Sequence, residues 1–260
     1  NLARRGINGI ILGTDVPAGT LAKLAKSTIP TVVMNDRVSP VLCRRTRNIA
    51  FVINDNLDIG RSAARHLSDQ GRFQSFAYVG SIEKLEGSQP RHQSFVDTLR
   101  ANGKTCQNYA VPTSGLALTS TVRRHAFLKW VGALKKPVGI FASHDGLAHQ
   151  VVEACLQAGF KIPEQVAILG ANNDEVICLT TSPLLSSVEP DFQEEGFQSA
   201  LLLDKLMRGM IKKPRTALVG VKRVVGREST IRITPAVSLV GKAMAYIEAN
   251  ACSNIGVDDI

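Results

Sequence analysis

Polar side chains that could bind a small molecule stand directly after four apolar segments of the chain. These groups are Asn35-Asp36-Arg37 after residues 29–34, Asn54-Asp55 after 49–53, Ser143-His144-Asp145 after 138–142, and Ala171-Asn172-Asn173-Asp174 after 166–170. Carboxylates accept hydrogen bonds, guanidinium groups donate them and amides do both, so such a set suits the hydroxyl groups of a polyol. A sugar is therefore the ligand class that these residues indicate.

Each of these residues, taken singly, also has a local explanation. Asp, Asn and Ser are favoured in turns and at helix N-caps, because their side chains bond nearby backbone N–H groups. The recurrence of such residues at four segment ends favours the ligand interpretation over the local one.

The signatures of other chemistries are missing. No G-x-G-x-x-G loop follows a predicted strand, and neither a G-x-x-x-x-G-K-[ST] loop nor a G-x-S-x-G elbow occurs. His144 and His149 lie five residues apart, which is the wrong spacing for two metal ligands on one helical face. We therefore expect no enzyme, no metal site and no cofactor.

Strand-like and helix-like segments alternate along the chain. Further strands are predicted at residues 7–12, 76–80, 109–111 and near 217–225, and helices at 18–27, 56–69, 91–101, 119–134, 146–158 and 193–208. This alternation predicts right-handed βαβ units, and hence an α/β fold with parallel sheets. Ligands of such sheets bind outside the carboxyl ends of the strands, where the polar groups stand.

Residues 235–260 break the alternation. Pro235 ends the last strand, and Val237, Val240, Met244 and Ile247 then recur at helical spacing. The pattern predicts the start of a separate helical module.

Charge and cysteine usage bear on partners and compartment. The net charge is +9, and residues 201–235 hold nine Lys or Arg against two acids. A basic excess can favour nucleic acid, but this stretch has no interleaved aromatic residues and no compact basic helix, so a solvated surface strand and loop is the preferred explanation. No apolar run approaches the roughly 18 residues of a membrane span, so no membrane partner is expected. Five widely spaced cysteines fit no disulfide framework, which favours a reducing, cytoplasmic compartment.

Several ordered motifs resemble the sugar-binding regions of LacI-type repressors. They are Gly6-Ile7-Asn8-Gly9-Ile10-Ile11, the segment Ile29 to Arg37, Ser143-His144-Asp145-Gly146-Leu147-Ala148, and Gly159 to Asp174. Leu185-Ser186-Ser187-Val188, Arg227-Glu228-Ser229-Thr230 and residues 243–258 further resemble the xylose operon regulators. In that family a periplasmic-binding-protein-type sensor is joined to an AraC-type DNA-binding domain. The resemblance implies a cytoplasmic, dimeric transcription regulator whose sensor binds a pentose such as D-xylose.

The resemblance also implies site residues. Asp36 and Arg37 match a pair that holds sugar hydroxyls, Arg91 matches the arginine of an R-x-x-x-[FW] segment, and His144 and Asp145 match a strand-end pair. Asn172 stands where the family usually has an aspartate. His144 and Asn172 depart from the family pattern; they retain hydrogen-bonding groups but change the polarity of those groups.

The expected architecture is the two-lobed type I fold of periplasmic binding proteins, with doubly wound parallel sheets. The predicted lobes are 1–53 with 189–216 and 54–188 with 217–234, hinged near 53–55, 188–190 and 216–217. Residues 235–260 are expected to be a linker and the first helix of an AraC-type domain, whose recognition helix lies outside this sequence. We therefore expect the chain alone not to bind operator DNA specifically.

Two other functions remain open at this point. A periplasmic sugar-binding protein of a transporter would have the same fold and site, although the helical segment after Pro235 counts against it. An enzyme on an α/β scaffold has no nucleophile, metal set or cofactor loop to support it.

Overall fold

Two mostly parallel β-sheets with flanking helices make up the structure, a computed structural model. It describes residues 6–13, 18–34, 48–81, 88–111, 118, 120–211 and 215–231, together with 243, 246, 247, 250 and 256. The strands are β1 (Ile10–Leu12), β2 (Thr31–Met34), β3 (Ile49–Asn54), β4 (Ser75–Gly80), β5 (Cys106–Ala110), β6 (Val138–Ala142), β7 (Val166–Ala171), β8 (Ser186–Pro190), β9 (Thr216–Val219) and β10 (Val221–Val225). The helices are α1 (Ala18–Ala25), α2 (Asn56–Ser68), α3 (Ser88–Ala101), α4 (Thr121–Ala133), α5 (Asp145–Gln157), α6 (Glu175–Thr180) and α7 (Phe192–Met207).

The strand order confirms the predicted α/β architecture. The first sheet has the order β1-β2-β3-β9 and all its strands are parallel. The second has the order β10-β8-β7-β6-β4-β5 and is parallel except for β10, which runs antiparallel to β8. Strands β6 and β7 are buried along their whole length, as expected of near-continuous apolar runs between two helical layers.

Helices cover both faces of the second sheet. Ile59, Ala63 and Leu67 of α2 recur at helical spacing and are buried in the core that α2 shares with α3. On the opposite face α4 and α5 pack through residues that include Phe127 and Val151. In the first sheet, α7 packs through Leu202 and Leu206 against β2, β3 and β9.

The chain passes between the sheets at three points, which lie one, two and three residues after the predicted lobe boundaries, and the first lies within the predicted hinge 53–55. Strand β3 stays in the first sheet through Asn54, β8 stays in the second through Pro190, and β9 stays in the first through Val219. Residues 54, 189–190 and 217–219 therefore lie in the opposite sheet from the one predicted. The apolar pattern does not mark these ends, because strand pairing continues through polar Asn54 and Glu189 up to the crossover.

The three crossovers are hydrogen-bonded to one another. The Asp55 backbone N–H donates to the Val219 carbonyl at 2.7 Å, and the Asp191 N–H donates to the Gly220 carbonyl at 3.1 Å. Asp58 Oδ2 accepts from the Val221 N–H at 2.9 Å. The crossings therefore form one hydrogen-bonded bundle.

Two elements were not predicted, and one prediction is largely outside the described residues. Strand β8 and helix α6 are absent from the sequence-based assignment. Of the expected C-terminal helical segment only isolated residues are described, and Ala243, Tyr246 and Ile247 among them are helical. Within the part of the chain that the structure describes, no helix is both long and apolar enough to cross a membrane.

Candidate functional site

The Arg91 guanidinium, on α3, forms hydrogen bonds to residues that follow three different strands. The guanidinium donates from Nε to Asn56 Oδ1 at 2.7 Å, from Nη1 to the Ser143 carbonyl at 2.6 Å, and from Nη2 to Asn172 Oδ1 at 3.2 Å. Asn56 follows β3, Ser143 follows β6 and Asn172 follows β7. Arg91 is only 6% exposed, so a charged group is held at the carboxyl ends of the strands by oriented oxygen atoms.

A close approach of two helices places Arg91 there. A Cβ atom on Gly60 of α2 would lie 2.1 Å from Ser94 Oγ and 2.2 Å from the Arg91 carbonyl oxygen. Only glycine leaves room for α3 at this point. The packing of α2 on α3 therefore depends on Gly60 and sets the height of Arg91 above the sheet.

Asn172 and Asn173 form a loop with unusual backbone geometry. Their φ angles are 103° and 49°, and Asn is among the few non-glycine residues that tolerate positive φ. The Asn172 N–H donates to the Val188 carbonyl, and the Asn173 N–H donates to Ser187 Oγ, both at 2.9 Å. These bonds turn Asn172 toward Arg91.

Arg227 holds the other side of the same loop. It donates from Nη2 to Asn173 Oδ1 at 2.8 Å and from Nη1 to the Leu185 carbonyl at 2.7 Å. The loop after β7 is thus held between Arg91 and Arg227, one guanidinium on each of its two asparagines.

Asp145 lies at the start of α5 with both carboxylate oxygens bound by protein donors. Oδ1 accepts from Ser187 Oγ at 2.6 Å, and Oδ2 accepts from the Asp174 N–H at 2.8 Å. A Cβ atom on Gly170 would meet Oδ1 at 2.2 Å, so the carboxylate lies against bare β7 backbone. Burial raises the pKa of Asp145 to about 6, although the hydrogen bonds from Ser187 and Asp174 oppose this rise. Asp145 therefore connects the loops after β6 and β7 to β8, and its direct contact with a ligand stays a prediction.

His144 is the N-cap of α5. Its Nδ1 accepts from the Leu147 N–H at 3.2 Å, and the residue is exposed. This N-cap contact gives His144 a local role, of the kind that Asp, Asn, Ser and Thr more commonly fill. A ligand contact of His144 likewise stays a prediction.

The structure brings together part of the predicted set. Arg91 and Asn172 are in contact, and His144 and Asp145 directly follow Ser143, whose carbonyl binds Arg91. Asp36 and Arg37 lie outside the described residues.

The sequence-based site assignment did not include Asn56, Asn173, Ser187 or Arg227, although Asn173 is one of the polar residues after 166–170 and Ser187 and Arg227 stand in the family-like motifs. Asn56 and Asn173 stand just after strands β3 and β7, and this position was the one sequence signal that they belong to the site. Their partners lie 35 and 54 positions away in the sequence, however, and no local pattern indicates these pairings.

The described parts of the chain contain no group of residues suited to bind a metal ion and no reactive thiol. No group of three or more His, Cys, Asp or Glu side chains there could hold a metal ion. Cys106, Cys155 and Cys178 are free, and burial raises the pKa of each thiol to about 12. These thiols stay protonated near neutral pH and are poor nucleophiles.

Comparison with solved structures supports the fold. A structure described as the xylose-binding transcription activator XylR is 23% identical, with a TM-score of 0.73 over 97% of this chain and 66% of that one. A LacI family transcriptional regulator from Enterococcus faecium with bound ribose is 24% identical, with a TM-score of 0.69 over 90% of this chain and 83% of that one.

Comparison of sequences identifies a relative and a family. The chain is 28% identical over 256 residues to the xylose operon regulatory protein of Haemophilus influenzae; the match takes in 98% of this chain and 65% of that protein, so the chain spans slightly less than two thirds of its relative. Residues 64–230 match the family described as periplasmic binding protein-like domain. The chain therefore belongs to the family of periplasmic binding protein-like domains.

Proposed function

We propose that this chain is the sugar sensor of a transcription regulator. The observation that carries the proposal is the Arg91 cluster, in which a buried guanidinium is held by Asn56, Ser143 and Asn172 where three strands end. The similarity to a xylose operon regulatory protein and to a ribose-bound LacI family regulator supports a sugar as the ligand.

The ligand that the cluster suits is an uncharged pentose such as D-xylose. Guanidinium N–H groups donate to hydroxyl oxygens, and amide groups such as that of Asn172 donate and accept. Asn172 in place of a carboxylate keeps an acceptor oxygen, adds an N–H donor and removes a negative charge. The family resemblance supports further sugar-binding residues, and we propose Asp36, Arg37, His144 and Asp145 in that role.

Sugar binding is transmitted by closure of two lobes on the ligand. Each lobe contains one sheet, and the hinge comprises the crossovers at Asp55, Asp191 and Gly220. Because the crossovers are bonded to one another, we expect them to move together when a ligand shifts the population toward the closed form. The closure alters how an AraC-type domain beyond residue 235 engages operator DNA, in a cytoplasmic homodimer.

A transport receptor shares the fold, and the similar regulators favour the sensor over it. An enzymatic role is not proposed, since the cluster offers hydrogen-bonding groups and no activated nucleophile or acid–base pair. The distinction between sensor and receptor is open to a direct test.

A promoter reporter in living cells tests the proposal. The protein in its natural length is expressed with its operator, and D-xylose, L-arabinose and D-ribose are supplied in turn. We expect a response to one pentose, its loss in Arg91→Ala, and its retention in Arg100→Ala, a matched change at an exposed arginine of the same helix. A reporter that no sugar changes, or that Arg91→Ala leaves fully responsive, contradicts the proposal.

A further inference from the structure

Helix α2 contacts both the backbone and the side chain of Arg91. Asn56 and Gly60 are four positions apart and so lie on one face of the helix. Asn56 Oδ1 accepts from Arg91 Nε, while Gly60 lies against the Arg91 backbone carbonyl. One face of α2 thus sets both the backbone position and the side-chain orientation of Arg91.

The contact to Nε differs in kind from the contacts to the two Nη atoms. Nε carries a single N–H group, whereas each Nη carries two. At 2.7 Å, with Asn56 and Arg91 only 8% and 6% exposed, the Nε bond is short and shielded from water. Because the guanidinium is planar, the bond at Nε fixes which way its outer edge faces.

Asn56 is in turn fixed at the crossover between the sheets. The preceding residue, Asp55, caps α2 by accepting from the Leu57 and Asp58 N–H groups, both at 3.0 Å. The Asp55 backbone N–H also donates to Val219 of the first sheet. The orientation of Arg91 is therefore connected to the crossover through only two residues.

We propose that Asn56 is a positioning residue for sugar binding, which aims the Arg91 guanidinium into the cleft without contacting the sugar itself. This rests on the proposed function, because the affinity it governs is that of the sensor for its sugar. The atom responsible is the amide oxygen of Asn56, which accepts the hydrogen bond from Arg91 Nε. A carboxylate oxygen at the same position can accept the same bond.

Calorimetry on three variants tests the affinity. In Asn56→Ala the guanidinium loses its acceptor at Nε, and we expect D-xylose to bind about tenfold more weakly. Asn56→Asp keeps an oxygen at that place and is expected to bind within about threefold of the unsubstituted protein. Leu57→Ala, at the exposed neighbouring position, is the matched control and is expected to leave the affinity unchanged. Unchanged affinity in Asn56→Ala, or equal loss in Asn56→Ala and Asn56→Asp, overturns the proposal.

The contact itself is measured separately by NMR of the Arg91 Nε–H group in the sugar-free protein. We expect slow exchange with solvent in the unsubstituted protein and in Asn56→Asp, and fast exchange in Asn56→Ala. Fast exchange in all three overturns the positioning role. If no pentose binds while the Nε–H stays protected, the sugar-sensor function is refuted and the Asn56–Arg91 contact is confirmed, so the two failures are told apart.

Discussion

Replacing Asp145 by asparagine is expected to change how the stability of the protein depends on pH. Burial raises the pKa of the folded-state carboxyl from 3.8 to about 6. Its contribution to stability is therefore complete only well below pH 3.8, where the carboxyl is protonated in both states, and it decreases as the pH rises above about 4. It is lost as the pH rises through about 6. At about 1.4 kcal/mol per pKa unit, the loss is roughly 3 kcal/mol of unfolding free energy.

The asparagine variant stays neutral and lacks this loss. It carries a constant cost instead, because an amide offers one acceptor oxygen to two donors, Ser187 Oγ–H and the Asp174 N–H. Urea unfolding followed by circular dichroism from pH 4 to 7 measures both effects. The unfolding free energy of the unsubstituted protein minus that of Asp145→Asn is expected to fall by roughly 2 kcal/mol across this range, because part of the loss already occurs below pH 4.

A second variant tests the stated cause of the shift. The Ser187 hydroxyl favours the ionised carboxylate and so opposes the effect of burial. Ser187→Ala is therefore expected to extend the loss of stability to higher pH. Stability differences that stay constant from pH 4 to 7 in both variants refute the reasoning.

Two further changes probe the packing that holds the site. Gly60→Ala is expected to cost about 1–3 kcal/mol in urea unfolding, because its Cβ meets the rigid Arg91 carbonyl at 2.2 Å, whereas Gly132→Ala, with nothing within 4 Å, is expected to be neutral or stabilising. Equal effects of the two changes contradict the close helix contact. Arg227→Lys is expected to cost about 1–2 kcal/mol in the same assay, since an ammonium cannot serve Asn173 and Leu185 as the guanidinium fork does. The exposed Arg223→Lys is its control and is expected within about 0.5 kcal/mol of the unsubstituted protein; an equally large loss there argues against the special role of Arg227.

The strands of the second sheet were predictable where apolar residues fill them. Strands β6 and β7 are buried on both faces, so their residues form short continuous apolar runs. Strand β8 is equally buried at its start, yet it begins with Ser186 and Ser187. Their hydroxyls are satisfied by the Arg227 carbonyl and by Asp145, partners that only the folded chain supplies. A polar strand of this kind leaves no apolar signal in the sequence.

The residues of the candidate site likewise include some that the sequence indicated and some that depend on packing. Strand-end logic and the family resemblance indicated Arg91 and Asn172, and the fold brings them into contact. The same logic indicated Asp145, whose contact with the sugar stays a prediction; that both its carboxylate oxygens also accept hydrogen bonds from Ser187 and Asp174 depends on packing, which the sequence does not reveal. Here Gly170 leaves room for the carboxylate against β7. The role of Asn56 depends on how α2 packs on α3, which the sequence of neither helix reveals.

Calorimetric titration of the natural-length protein with D-xylose, L-arabinose and D-ribose measures sugar binding most directly. A sugar sensor built on the Arg91 cluster binds one of these pentoses saturably and at one site per chain, and Arg91→Ala abolishes the heat while Arg100→Ala retains it. The absence of heat with every sugar, or undiminished binding in Arg91→Ala, contradicts this conclusion.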